Sequence, residues 1–235
     1  MNTTYNPALN LEGVTLEYPD GENGTLKALD NVNLSAAAGT VTALVGPSGS
    51  GKSSLLAVAA TLIHSTSGRV SIGGIDVTTL HDRDRTKLRS EKIGIIFQQP
   101  NLLPSLTAVE QLVIAEHLRG NSSKDARSRA MEMLDVVGLA ESARRRPHQL
   151  SGGQRQRVNI ARALMGHPAV LLVDEPTAAL DHERSESVVR LLCSITREFD
   201  VATVMVTHDT EFVPLSDAVA TMRDGSLTVP RLIAA

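Results

Sequence analysis

The sequence predicts an α/β fold built on a mainly parallel sheet. Three features carry that expectation. A short apolar run at 41–45 leads into the glycine-rich segment GPSGSGKS at 46–53 and then into a helix-like run, the order strand, loop, helix. Further apolar runs at 93–97, 169–173 and 201–206 have the length of buried strands, and each ends in polar residues. Helical patterns with start and stop signals lie between them. A chain of 235 residues, 42% of them hydrophobic, has enough material for one large domain of this kind.

Taken in order, residues 9–18 alternate as a strand, 19–24 are turn-rich and 26–34 read as a second strand, which together predict a small antiparallel sheet. Tyr18, one of only five aromatics, stands at the first strand's end beside Pro19. It is either an edge-of-core tyrosine or a platform on which a base stacks. The segment 46–53 fits the phosphate-cradling pattern, in which glycines let backbone N–H groups approach a phosphate while Lys52 and the Ser53 hydroxyl complete the site. Residues 68–72 and 75–77 flank Gly73 and Gly74 as a hairpin. The mixed charges of 82–92 suit a solvated face.

The strand expected at 93–97 runs into Gln98, Gln99 and Pro100, and its end lies near the nucleotide if it joins the same sheet. Leu102, Leu103 and Leu106 follow in a loop, either packed under the next helices or presented to a partner protein. Thr107 and Glu110 form a capping box for a helix at 108–119 closed by Gly120. A second helix, 123–137, carries the apolar stripe Ala126, Ala130, Met133, Leu134 and Val137 and stops at Gly138. Residues 104–150 are thus expected to form an inserted helical subdomain within a single domain covering 1–235.

Ser151 is placed to cap another helix, and the run LSGGQ makes its start a second anion-ready site. The strand at 169–173 ends in Asp174 and Glu175, two acids that belong at a ligand-facing end. Asp174 suits the hold on Mg²⁺, and Glu175 suits a general base acting on a water. Asp181 follows in a turn. The strand at 201–206 ends at Thr207, His208 and Asp209, and His208 is the one histidine of seven whose position suggests a γ-phosphate contact. Cys193 falls on a helical apolar stripe and reads as core.

This ordered set of Tyr18, GPSGSGKS, Gln98, LSGGQ, LLVDEP, 179–181 and His208 resembles the ATPase cassette of ABC transporters over nearly the whole chain. The resemblance implies a P-loop NTPase of ABC type that uses ATP and Mg²⁺. Tyr18 then stacks adenine, Gly46, Ser48, Gly49, Ser50, Gly51, Lys52, Ser53 and Ser54 cradle the phosphates, and Ser53, Gln98 and Asp174 hold Mg²⁺. Glu175 is the catalytic base, with Gln98 and His208 beside it. It also implies a head-to-tail homodimer in which Ser151, Gly152, Gly153 and Gln154 of one chain, with Asp181, close on the ATP held by the other. Ser54 stands where threonine is usual, and Ala179 replaces a frequent serine.

Within the family the chain looks most like the macrolide-exporter and lipoprotein-release branch, which includes haem exporters and a cell-division cassette. That implies a transmembrane permease as partner through the loop 98–106, with haem the preferred cargo, or a membrane partner that is regulated without transport. The formal net charge of −3 argues against nucleic acid as ligand. No stretch reaches the roughly 18 apolar residues that span a bilayer, and no basic, apolar leader opens the chain. The expectation is a peripheral protein held on the cytoplasmic side of the membrane by its permease, with no direct insertion.

Overall fold

The computed structural model describes residues 7–20, 24–120, 123–228 and 231–233. The turn expected at 19–24 falls partly on 21–23, outside the described residues. Strands β1 (Leu9–Asp20), β2 (Gly24–Ala36), β4 (Ser67–Ile72) and β5 (Ile75–Asp76) form an antiparallel sheet in the order β2-β1-β4-β5. The expected alternation in β1 slips once: Leu9 and Leu11 are buried, then Val14 and Leu16. A register shift between Leu11 and Val14, with Gly13 at φ 59°, absorbs the extra residue and keeps all four on one face.

The second sheet is mainly parallel, in the order β10-β9-β3-β8-β7-β6, with β11 beside β9. Its strands are β3 (Val41–Val45), β6 (Ile93–Ile96), β7 (Val170–Asp174), β8 (Ala202–Val206), β9 (Ala218–Arg223), β10 (Ser226–Leu227) and β11 (Arg231–Leu232). Strands β3, β9, β8, β7 and β6 pair in parallel, whereas β10 and β11 are antiparallel to β9. The sequence reading assigned no strand beyond β8.

Alternate residues of the central strands feed two cores. Leu171, Val173 and Met205 point into one, with the helices α3 (Ala108–Leu118), α4 (Ser123–Val136), α5 (Gly152–Leu164) and α6 (His182–Glu198). Val170, Leu172, Val204 and Val206 point into the other, beneath the antiparallel sheet and α1 (Lys52–Ala59) and α2 (Asp82–Lys92). Burial on both faces explains why these strands read as unbroken apolar runs. The stripe of the second inserted helix is buried along its whole length, and Met133, Leu134 and Val137 share a core with α5 and α6. Cys193 is buried in that core as well.

The charged run at 82–92 is a helix rather than only a solvated face. Leu88 packs into the second core and Arg85 is buried, held by Asp82 at 2.9 Å. The reading missed this because the single leucine gives no apolar period.

The end of α5 lies so close to β6 that only glycine fits at position 94, where a Cβ would stand 2.7 Å from the Ala163 carbonyl oxygen and 2.5 Å from Leu171 Cδ2. Gly94→Val is therefore expected to lower stability by about 1–3 kcal/mol, the usual range for overpacking. Urea unfolding of the two proteins checks this, and an unchanged midpoint would show that α5 can retreat without loss.

Candidate functional site

The parallel strands end together at one edge of the sheet, and the glycine loop is held there by backbone on both sides. Gly46 has φ 153°, and a Cβ on it would fall 2.1 Å from the Met222 carbonyl oxygen; Gly51 has φ 104°, and its Cβ would fall 2.4 Å from that of Ala28. No other residue can occupy these two positions without moving β9 or β2. Gly225 N donates to Ser50 O at 3.0 Å, a further tie to the β9–β10 turn.

Helix α1 begins directly after Gly51 and receives no side-chain cap, and its first turn carries no acid. Its leading N–H groups and the positive end of its dipole therefore face the loop, the arrangement that suits an anion. Lys52 is buried, and its Nζ donates to the carbonyls of Gly46 at 2.8 Å and Pro47 at 2.7 Å. The Ser50 hydroxyl is buried and has no hydrogen-bond partner among the described residues.

A cleft of about 660 Å³ opens over this loop. Of the residues expected from the sequence, Tyr18, Ser48, Gly49, Gly51, Lys52, Ser53, Ser54, Gln98, Asp174 and Glu175 line it. Leu26, opposite Tyr18 in the β1–β2 pair, and Lys27, Asp224 and Gly225 line it too and were not foreseen. Tyr18 is partly exposed at the rim, at a strand end rather than in the core. Ser53, Gln98 and Asp174 offer a hydroxyl, an amide and a carboxylate at the same cleft. That oxygen donor set fits Mg²⁺, which takes one or two carboxylates and completes its shell with substrate phosphates and water.

Glu175 adopts φ 43°, in the left-handed region, a conformation that costs a non-glycine residue on the order of 1 kcal/mol or more. Its N–H donates to Val206 O at 3.0 Å, and Pro176 after it disfavours the helical alternative. The turn brings its carboxylate to His208, whose Nδ1 lies 3.3 Å from Glu175 Oε2. Two residues read from the ends of separate strands thus meet, because β7 and β8 are parallel neighbours.

The second anion site stands apart. Ser151 caps α5 as expected, its Oγ accepting from Gln154 N at 3.2 Å while Gln154 Oε1 accepts from Ser151 N at 2.9 Å. With Gly153 these residues line a different cleft, between α5 and α6, so a single chain does not bring LSGGQ to its own glycine loop. Gly152 opens α5 beside Leu180. Asp181 lies outside the nucleotide cleft as well: it caps α6 by accepting from Arg184 N at 3.0 Å.

Sequence reasoning missed the polar face of α5. Gln156 Nε2 donates to Phe97 O at 3.3 Å, Asn159 Nδ2 to the same oxygen at 3.0 Å and Arg162 Nη2 to Pro100 O at 2.9 Å. The loop carrying Gln98 is therefore fastened to the helix that carries LSGGQ. The signal was available as polar residues at positions 156, 159 and 162 of a helix otherwise rich in apolar ones. Gln111, also buried, holds the leucine loop through Leu103 N, Leu103 O and Leu106 O. Leu102 packs on the core while Leu103 remains about half exposed, so the loop divides between the two readings given for it.

A groove of similar volume, about 690 Å³, runs along α6 beside Cys193 and Arg190 but is lined by none of the glycine-loop residues. Among the described residues no helix is long and apolar enough to cross a membrane.

Comparison with known proteins agrees with this geometry. Residues 29–178 match the family described as ABC transporter. The chain is 38% identical over 219 residues to the lipoprotein-releasing system ATP-binding protein LolD of Bacteroides fragilis, covering 93% of this chain and 99% of that protein. It is 41% identical over 223 residues to the uncharacterized ABC transporter ATP-binding protein MJ0796 of Methanocaldococcus jannaschii, covering 93% and 94%. A solved dimeric structure of the MJ0796 cassette in a post-hydrolysis state, bound to ADP and Pi, superposes with a TM-score of 0.84 at 38% identity, over 97% of this chain and 99% of that one.

Burial pushes the Asp174 carboxyl above the usual aspartate range, the neighbouring Glu175 charge adds to the rise, and Lys52 draws it back. An acid whose folded pKa exceeds its unfolded one binds a proton on folding in the window between the two, so stability falls as pH rises through that window. Asp174→Asn removes this slope. Urea midpoints of both proteins, followed upward from the ordinary aspartate pKa, should show the native protein declining relative to the variant, and parallel curves would overturn the assignment.

Proposed function

We propose, from the premise that this chain belongs to the ABC transporter family and hydrolyses ATP with Mg²⁺ as its members do, that it powers a membrane permease through ATP-driven closure of a homodimer. The observation that carries the dimer is the division of the site. Tyr18, the glycine loop, Asp174 and Glu175 share one cleft, whereas Ser151, Gly153 and Gln154 line another. A head-to-tail pair supplies each ATP with both halves, and no catalytic position in this chain is replaced. The dimeric MJ0796 structure shows that a cassette of this kind pairs.

In that arrangement Tyr18 stacks on the base, and Lys52 leaves the Gly46 and Pro47 carbonyls for the β and γ phosphates. The N–H groups at the start of α1 donate to the phosphate oxygens. Ser53, Gln98 and Asp174 hold Mg²⁺, which neutralises charge developing on the phosphates. Glu175 accepts a proton from the attacking water, and His208, 3.3 Å from it, orients that carboxylate and senses the γ-phosphate. Ser151, Gly152, Gly153 and Gln154 of the second chain close the far side, and Asp181 sits at the junction.

The loop 98–106 is the contact for the permease, placing the chain peripherally on the cytoplasmic side of the membrane. No described residue reads as a cargo site. The relatives named for lipoprotein release favour a lipid-bearing protein as cargo over the haem expected from the sequence.

Glu175→Gln should bind ATP and accumulate as a dimer while phosphate release falls about 10²- to 10⁴-fold, the contribution of a general base. Near-normal turnover would remove Glu175 from that role.

Shared sites have a sharper signature. Lys52→Ala and Ser151→Arg proteins, each inactive alone, should regain part of their hydrolysis when mixed, because one heterodimer keeps one intact composite site. Absence of recovery, with both variants folded by circular dichroism, would count against the head-to-tail pair.

A further inference from the structure

Three consecutive arginines, Arg144, Arg145 and Arg146, lead into the LSGGQ run, and all three are exposed. Their backbone is fixed. Ala108 N and Val109 N, at the start of α3, donate to Arg145 O at 2.8 Å and Ala143 O at 2.9 Å. Arg145 N donates to Ser142 O and Arg146 N to Gln149 Oε1, each at 2.9 Å. The guanidinium groups, in contrast, enter no ion pair among the described residues.

A fourth positive charge, Arg127 on α4, is exposed close by. Glu110 at the first turn of α3 is held ionised chiefly by its Thr107 hydrogen bonds, and Arg146 and Arg127 both add to that. This concentration of positive charge stands against the net −3 of the chain. The same turn of α3 carries Gln111, which holds Leu103 in place with its side chain about half exposed. One helix start therefore presents an apolar tip from the loop 98–106 and a basic strip beside it.

Exposed guanidiniums on an immobile backbone suit carboxylates, which they can bind in pairs of parallel hydrogen bonds. An apolar tip with a one-signed rim suits an amphipathic helix of opposite sign. A bilayer surface is a poorer match, because Glu110 and Glu141 interrupt the strip and only one large apolar side chain projects from this loop. We propose that Arg144, Arg145 and Arg146, with Leu103, select the membrane partner by an acidic amphipathic segment on its cytoplasmic side. This rests on the permease reading above and adds to it the chemistry by which the partner is chosen.

The test uses the full chain, the triple variant R144E/R145E/R146E and its conservative counterpart R144K/R145K/R146K. Fluorescence anisotropy measures binding of a synthetic amphipathic helix with leucines on one face and glutamates on the other, against the same peptide with lysines for glutamates. Flotation measures binding to vesicles of phosphatidylglycerol and phosphatidylcholine in equal parts. The expected result is binding of the acidic peptide alone, weakened by salt, reduced at least about tenfold in the glutamate variant and largely kept in the lysine one. ATP hydrolysis by the glutamate variant stays unchanged, which shows that it folds. Binding to the vesicles but not the peptide, or to neither, overturns the proposal. Where the chain co-purifies with a permease, equal recovery of the glutamate variant also overturns it while leaving the permease reading intact. If no permease co-purifies, that reading fails on its own and the peptide result still decides this one.

Discussion

The structure depends on a backbone constraint at the end of β3. Carbonyl oxygens of Ala28 and Met222 crowd the glycine loop from two sides, so that Gly46 and Gly51 are the only residues the positions admit. The loop in turn delivers the start of α1 with its N–H groups free of side-chain caps. The main chain itself thereby presents an arrangement that suits phosphate, with Lys52 beside it on the Gly46 and Pro47 carbonyls. Any substitution that relaxed the crowding would also let the N–H groups turn elsewhere.

The parallel pairing of β7 with β8 does comparable work for the acid and the histidine at the strand ends. It places the ends of both strands side by side, so Glu175 and His208 meet although 33 positions separate them in the sequence. The left-handed conformation of Glu175 is what a carboxylate needs to leave the strand and face the cleft. Its cost is offset by the strand hydrogen bond to Val206 and by the packing of β7 and β8, buried throughout except for Asp174.

Helix α5 ties the two halves of the chemistry together. Its first turn presents Ser151 to Gln154, its polar flank grips the carbonyls on either side of Gln98, and its last turn lies against Gly94. A displacement of its N-terminus therefore carries to the Gln98 loop through buried hydrogen bonds, which are costly to break singly. Within one chain this offers a physical route by which the LSGGQ run and the Gln98 loop move together.

Much of this was legible in the sequence. The buried strands, the capping box at Thr107, the apolar stripe ending at Val137 and the phosphate loop each rest on local patterns, and local backbone physics decides those. The helix at 82–92, the strands after β8 and the α5 grip on residues 97 and 100 were not legible. They depend on which surfaces meet: a single leucine gives no period, and the polar residues at 156, 159 and 162 mark a helix face without saying what it meets. The sequence by itself determined that the chain is a nucleotide-binding cassette and that a glycine loop at 46–53 opens a helix behind an apolar strand. Only the tertiary structure decided that Ser151 and its neighbours lie at a separate cleft, because the two segments are placed by different elements of the sheet and helices, whose relative positions no local pattern specifies.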